Sequence, residues 1–125
     1  MIGSYNFKLN QGEDKGFIFV IKALQDGRVM NLYKPANLEG YAFSLQIRPE
    51  EDHQTLSLEL STDNGRITSQ DIVGRVKVTF NHTETANLAP GNYVYELRMK
   101  HIEGNKIYKI LSGYIAVIER INTID

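Results

Sequence analysis

The chain has 125 residues, no cysteine, and 14 basic against 15 acidic side chains, which gives a formal net charge of -1. This balance leaves no overall field that would draw in nucleic acid or an anionic membrane, and a cysteine-free chain has neither disulfides nor thiolate metal sites. The length and the 42% hydrophobic content predict a single domain over residues 1–125. The longest apolar run, residues 17–21, is far too short to span a bilayer, and the N-terminus lacks the pattern of a secretion signal, so we expect no membrane partner and folding in a cytoplasm.

Apolar and polar residues alternate with period two along almost the whole chain, which is typical of β-strands with one buried face. Residues 5–10 form the first predicted strand and residues 15–24 the second. The second strand is apolar at every position from 17 to 21, which predicts burial on both of its faces. A short strand over residues 29–33 is predicted to follow.

The central strand runs over residues 41–48 and ends at Pro49, which cannot donate to a β-ladder. Its predicted inner face consists of Tyr41, Phe43, Leu45 and Ile47. Leucines alternate with polar residues over 56–61, and the turn signal Asp63-Asn64-Gly65 predicts that this strand forms a hairpin with the next one.

The C-terminal half continues the alternation. Val76, Val78 and Phe80 define one inner face, and residues 83–87 form either one helical turn or a connecting loop. A last hairpin is predicted between residues 92–101 and 106–119, with Gly113 as a β-bulge. Seven or eight such strands predict an all-β fold, a single immunoglobulin-like two-sheet antiparallel β-sandwich.

The segment 88–99 joins a Pro-Gly turn to a strand with two tyrosines on its inner face. Leu88, Pro90, Gly91 and Tyr93 have the spacing of a tyrosine corner, in which the phenol hydroxyl bonds to backbone a few residues upstream. The alternative is an aromatic ligand platform. We favour the structural role, because Tyr93 and Tyr95 share the parity of the core residues Leu97 and Met99.

No motif for chemistry is visible. The three histidines have no metal-ligand spacing, and neither a nucleophile elbow nor a phosphate-binding loop occurs, so we expect no enzyme activity, no cofactor and no metal. The acidic run Glu50-Glu51-Asp52 could attract calcium or a basic partner, or could be a solvated loop.

We expect a domain without a chemical site to work through its surface, and the edge strands of a sandwich carry unpaired backbone groups. The candidate partner interface comes from the first strand, the acidic loop and the apolar C-terminal tail. Its residues are Tyr5, Phe7, Glu50, Glu51, Asp52, Ile121 and Ile124. The alternative is that the first strand and the tail pack on their own domain.

Four segments carry a resemblance to a known family. They are Phe7-Lys-Leu-Asn-Gln-Gly12, Leu38-Glu-Gly-Tyr41 with the strand Ala42–Arg48, Ser61-Thr-Asp-Asn-Gly-Arg-Ile67, and Leu88-Ala-Pro-Gly-Asn-Tyr-Val-Tyr-Glu-Leu97. Their order resembles the small immunoglobulin-like β-sandwich proteins of tailed bacteriophages. That family includes the collar protein of long tail fibres and the N-terminal domains of some baseplate proteins.

The resemblance implies a non-enzymatic virion component, a tail collar or adaptor ring protein that attaches fibres to the tail. It implies a homo-oligomeric ring, tail tube and fibre proteins as partners, and a place in the virion tail after assembly in the host cytoplasm. The alternatives are a baseplate or neck decoration protein, or a carbohydrate or cell-surface binding module.

Overall fold

A computed structural model describes residues 3–21, 24–25, 28–29, 38–70 and 74–124. The strands are β1 Gly3–Ser4, β2 Phe7–Asn10, β3 Lys15–Val20, β4 Leu24–Gln25, β5 Arg28–Val29, β6 Tyr41–Pro49, β7 Leu58–Ser61, β8 Ile67–Gln70, β9 Arg75–Phe80, β10 Gly91–His101 and β11 Lys106–Ile118, with one helix, α1 His82–Ala86. Residues 30–33 of the strand predicted after Gly27 lie outside the described residues.

Two sheets pack face to face. The six-stranded sheet has the order β1-β11-β10-β6-β7, with β2 also paired to β11, and the three-stranded sheet has the order β3-β9-β8. Strands β4 and β5 form a separate pair. The predicted all-β sandwich is confirmed. Two pairings in it are parallel, because β1 and β2 both run alongside β11 in the same direction.

The core lies between the two sheets and is filled by the residues that alternate inward on each strand. On β6, β9 and β10 these are the predicted positions, buried with at most 6% of their surface exposed: Phe43, Leu45, Ile47, Val76, Val78, Phe80, Tyr93, Tyr95, Leu97 and Met99. At its centre Phe7 packs against Phe17, Phe80 and Tyr95, with ring centroids 5.3 to 6.0 Å apart. Such tilted and edge-on contacts are the favourable geometries for aromatic rings.

The hairpin predicted at the turn Asp63-Asn64-Gly65, after the strand over residues 56–61, is wrong. Strand β7 pairs with β6 in the six-stranded sheet, whereas β8 pairs with β9 in the other sheet, so the turn between them crosses the sandwich. Asn64 holds this corner: its side-chain oxygen accepts from the Ser61 amide at 2.9 Å and its side-chain nitrogen donates to the Glu59 carbonyl at 2.9 Å. These bonds occupy backbone groups of β7.

The bulge in the last hairpin is at Ile110 and not at Gly113. Leu97 faces Leu111 while the next residue, Arg98, faces Lys109, so one residue of β11 is left over. Gly113 has another role. A Cβ built on it would lie 2.1 Å from the Tyr5 carbonyl oxygen, so glycine is required for the N-terminal segment to approach β11.

Of the two alternatives for residues 83–87, a helical turn or a connecting loop, the structure has the helical turn, α1. Asn81 caps it, because its side chain accepts from the Glu84 amide at 2.8 Å and the Glu84 carboxylate accepts from the Asn81 amide at 3.1 Å. Thr85, fully buried, ties the helix to the loop before β3 by donating to the Glu13 carbonyl at 2.9 Å. The helix thereby fixes the connection that leads into β10.

The expected burial of β3 on both faces is wrong. Phe17 and Phe19 face inward and are partly buried, but Ile18 and Val20 on the outer face are 59% and 44% exposed. Five consecutive apolar residues therefore supply one core face and one bare face.

Candidate docking surfaces

The tyrosine corner residues lie in the turn after α1, which holds Leu88 and Pro90, and in the first residues of β10, which include Gly91 and Tyr93. The Tyr93 hydroxyl donates to the Ala89 carbonyl at 2.6 Å, four residues upstream, which is the geometry of a tyrosine corner. Gly91 has a φ of 145°, which glycine adopts readily, and the buried Leu88 accepts from the Gln11 side chain at 2.7 Å through its carbonyl. Pro90 is exposed in the turn. Burial, and secondarily the charge of Glu51, raises the pKa of Tyr93, so its phenol stays protonated as a donor.

The predicted interface residues of the first strand separate. Phe7 is 8% exposed and belongs to the core, so its assignment to the interface was wrong. Tyr5 is 48% exposed, stacks on Phe7 with ring centroids 5.6 Å apart, and accepts from the Tyr95 hydroxyl at 2.5 Å through its carbonyl. Tyr5 therefore presents one exposed side of its ring at the rim between the two sheets.

The acidic loop Glu50-Glu51-Asp52 is exposed, and some of its polar groups are occupied by hydrogen bonds within the protein. The Glu50 amide donates to the Asn92 carbonyl at 3.0 Å, which ties the loop to β10. The Asp52 carboxylate accepts from the Thr55 hydroxyl at 2.5 Å and from the Gln54 amide at 3.1 Å. These hydrogen bonds, the one from Thr55 first, lower the pKa of Asp52. Asp52 shapes the loop, whereas Glu50 and Glu51 point charge at solvent.

The outer face of the six-stranded sheet carries a shallow groove of about 590 Å³ over β6 and β10. Its side chains are bonded to one another: the Gln46 amide donates to Glu59 at 2.7 Å, and Arg48 donates to the Gln46 oxygen at 3.0 Å. Glu96 pairs with Arg98 in the same way. A face of mutually paired polar groups at the surface contributes little to stability and stays hydrated.

A second groove of about 390 Å³ lies beside it, between β2, β10 and β11. Tyr114, 56% exposed, stands among Asn6, Lys8, Glu50 and Asn92. The Asn6 side chain accepts from the Tyr114 amide at 2.9 Å. Sequence reasoning missed this tyrosine; the signal was its parity, opposite to that of the buried Ile115 and Val117.

A third surface is the outer face of the three-stranded sheet. Ile18 and Val20 of β3 lie directly opposite Lys77 and Arg75 of β9. Sequence reasoning missed this surface because the apolar run was interpreted as buried on both faces. Its described positions combine exposed aliphatic side chains with two cations.

The C-terminal tail lies outside the sheets. The Arg120 amide is still held by the Gln11 side chain at 3.2 Å, and beyond it Ile121 and Ile124 are 99% and 79% exposed. Both predicted interface residues of the tail are thus on the surface, in a segment of no regular structure.

Within the described ranges, no three or more His, Cys, Asp or Glu side chains are grouped so that they could hold a metal ion. The Asp14 carboxylate and the Nδ1 atom of His82 lie 3.1 Å apart at the start of α1. Hydrogen bonds from His82, the side-chain one first, lower the pKa of Asp14. In the same part of the chain, no helix has the length and apolar character that crossing a membrane requires.

Comparison with known proteins gives no family. No protein-family model and no curated protein matches the sequence. Among solved structures, the chain is similar to the N-terminal domain of phage TP901-1 ORF48, with 17% identity, a TM-score of 0.48, and coverage of 94% of this chain and 85% of that one. It is also similar to CopC from Methylosinus trichosporium OB3b, with 16% identity, a TM-score of 0.38, and coverage of 71% and 85%. Likenesses of this size assign neither a partner nor an activity to the chain.

Proposed function

We propose that the chain is a non-enzymatic structural component of a tailed-phage virion, a collar or adaptor ring protein that attaches fibres to the tail. The order of the four sequence segments that resemble the phage family supports this proposal. The observation in the structure that favours it most is the apolar surface of β3, where Ile18 and Val20 are exposed on a strand that has β9 as its one neighbour among the described strands. Exposed apolar edge strands are sites of protein association.

A closed ring requires two different complementary faces on each subunit. The chain has candidates for both, because the apolar surface of β3 and the tail with Ile121 and Ile124 are separate features. A collar, a neck and a baseplate protein differ in the proteins that they bind. The partners of the chain therefore decide between these three positions.

The experiment is to measure the mass of the purified chain by light scattering, alone and mixed with the tail tube and fibre proteins of the same particle. We expect a closed oligomer and capture of at least one of these proteins in a pull-down. A baseplate protein captured in their place would move the chain to the baseplate. Monomers at all concentrations, without binding to any tail protein, would contradict the proposal.

A second candidate function, a carbohydrate-binding module, is favoured by the groove at Tyr114. An exposed aromatic ring beside the amides of Asn6 and Asn92 and the carboxylate of Glu50 has the groups that bind a sugar ring and its hydroxyls. A glycan array with wild type and with Tyr114→Ala tests it, with Ile107→Ala, an equally exposed residue, as control. Glycan binding that is lost in Tyr114→Ala and kept in Ile107→Ala supports a carbohydrate-binding role for this groove. An array without hits for wild type contradicts that role.

A further inference from the structure

Strand β3 has an unpaired edge among the described strands. It pairs with β9 on one side, and within the described ranges no strand pairs with its other side. An edge strand of six residues presents a row of backbone donors and acceptors to any extended segment that can lie beside it.

Both faces of this edge are apolar. Phe17 and Phe19 are only partly buried on the inner side, and Ile18 and Val20 are exposed on the outer side. A segment that completes the sheet here would meet apolar side chains above and below. It therefore needs apolar side chains of its own on both of its faces, which is unusual for an edge segment in water.

The tail meets this requirement. In an extended segment Ile121 and Ile124 have opposite parity, so one would cover the outer face and the other the inner face. Both are almost fully exposed in the chain by itself. The only described hydrogen bond within the segment joins the Ile124 amide to the Asn122 side chain at 2.9 Å, an exposed local contact that straightening would replace.

Charge agrees with the same placement. The outer face next to β3 carries Arg75 and Lys77, opposite Val20 and Ile18, and no carboxylate stands at the described outward positions of β3, β8 and β9. The residue that follows the tail in the sequence is Asp125, which shares the parity of Ile121. An acidic group would thus arrive on the face that carries the cations.

From these observations we infer that the C-terminal segment from Ile121 onward pairs with the free edge of β3 in a second copy of the chain. The inference rests on the proposed function, since it supplies the contact that would build the ring. The contact is heterologous, because the tail of one copy meets the edge of the next, and repeated copies close into a ring if the rotation allows.

Cysteine cross-linking tests this contact directly, because the natural chain has no cysteine. Ile18→Cys and Ile121→Cys are purified separately, one with a size tag, mixed, and oxidised mildly. Side chains on the same face of neighbouring strands lie close enough for a disulfide. We expect a mixed dimer of the two variants, and much less product when Leu56→Cys, on an exposed loop, replaces Ile18→Cys.

A second variant gives an independent measurement. Ile121→Ser with Ile124→Ser removes the apolar groups of the tail from exposed positions, so the fold should keep its melting temperature. We expect the apparent dissociation constant of the oligomer to rise at least tenfold, because two isoleucines lose their burial. Ile102→Ser, at another exposed isoleucine, is the matched control and should leave it unchanged.

The outcomes separate the two proposals. Disulfides of Ile18→Cys with itself would mean pairing of β3 with β3. An internal disulfide in a chain that carries both Ile18→Cys and Ile121→Cys would mean that the tail pairs with its own domain. Either result overturns the inference. Equal cross-linking to Leu56→Cys also overturns it. If wild type assembles but the mixed dimer does not form, the inference fails and the ring stands, whereas monomers without binding to tail proteins overturn both.

Discussion

The hydroxyl of Tyr93 offers the sharpest test of how the sandwich is held together. Tyr93→Phe removes the hydrogen bond of 2.6 Å to the Ala89 carbonyl and changes nothing else in a residue that is 6% exposed. A buried acceptor left without a donor costs about 1 to 3 kcal/mol. Ala89 itself is exposed, so water reaches its carbonyl in part and the cost should be about 1 to 1.5 kcal/mol.

For a chain of this size, that loss lowers the melting temperature by about 4 to 6 °C and the urea midpoint by about 0.5 to 1 M. Thermal and urea unfolding followed by circular dichroism measure both. Tyr114→Phe is the control, since that tyrosine is 56% exposed and should change stability by less than about 0.5 kcal/mol. If Tyr93→Phe keeps full stability but loses partner binding, the tyrosine corner is a binding surface and our reasoning about it is wrong.

Three further predictions concern other contacts of the sandwich. Burial raises the pKa of Tyr95 from 10.0 to about 12, so the folded state holds this proton more tightly than the unfolded state. The free energy of unfolding should be unchanged below pH ~10 and fall by up to about 3 kcal/mol as the pH rises through 12. Urea unfolding at a series of pH values measures this, and a flat profile would contradict the raised pKa. Gly113→Ala should lower the free energy of unfolding by about 2 kcal/mol or more, because the methyl group of the alanine would collide with the Tyr5 carbonyl. Amide hydrogen exchange in β1 and β2 should become faster. Exchange as slow as in wild type would show that the N-terminal segment does not need a glycine at this position. Asn81→Ala should cost about 1 kcal/mol through loss of the helix cap, with Thr83→Ala, on the exposed side of α1, as the control in the same unfolding assay; equal effects would refute the role of the cap.

The alternation of apolar and polar residues predicted the core, because this pattern depends only on which face of each strand is buried. It placed the inward residues of β6, β9 and β10 correctly, and the spacing around Tyr93 located the corner. The hairpin predicted at residues 63–65 was wrong for a physical reason. A turn signal such as Asp63-Asn64-Gly65 says that the chain reverses, but pairing with distant strands decides which sheet the reversed strand joins.

The surfaces were harder to predict than the core. An apolar run such as residues 17–21 has the same sequence whether a second layer covers it within the chain or a partner covers it later. Phe7 was assigned to the interface because it lies on an edge strand, yet its ring fills the centre of the core. The parity of Tyr114 indicates that its side chain is exposed, but the groove around it forms only when β2 and β10 lie beside β11, which no local pattern specifies.

The parallel pairing of β1 and β2 with β11 has a mechanical consequence. Gly3 pairs with Leu111 near one end of this arrangement and Ile118 pairs with Asn10 at the other, so the two ends of the described chain leave in opposite directions. A force that pulls on both ends would slide the strands past each other and load all their backbone hydrogen bonds at once. A sandwich loaded in shear resists extension better than one whose strands peel apart bond by bond.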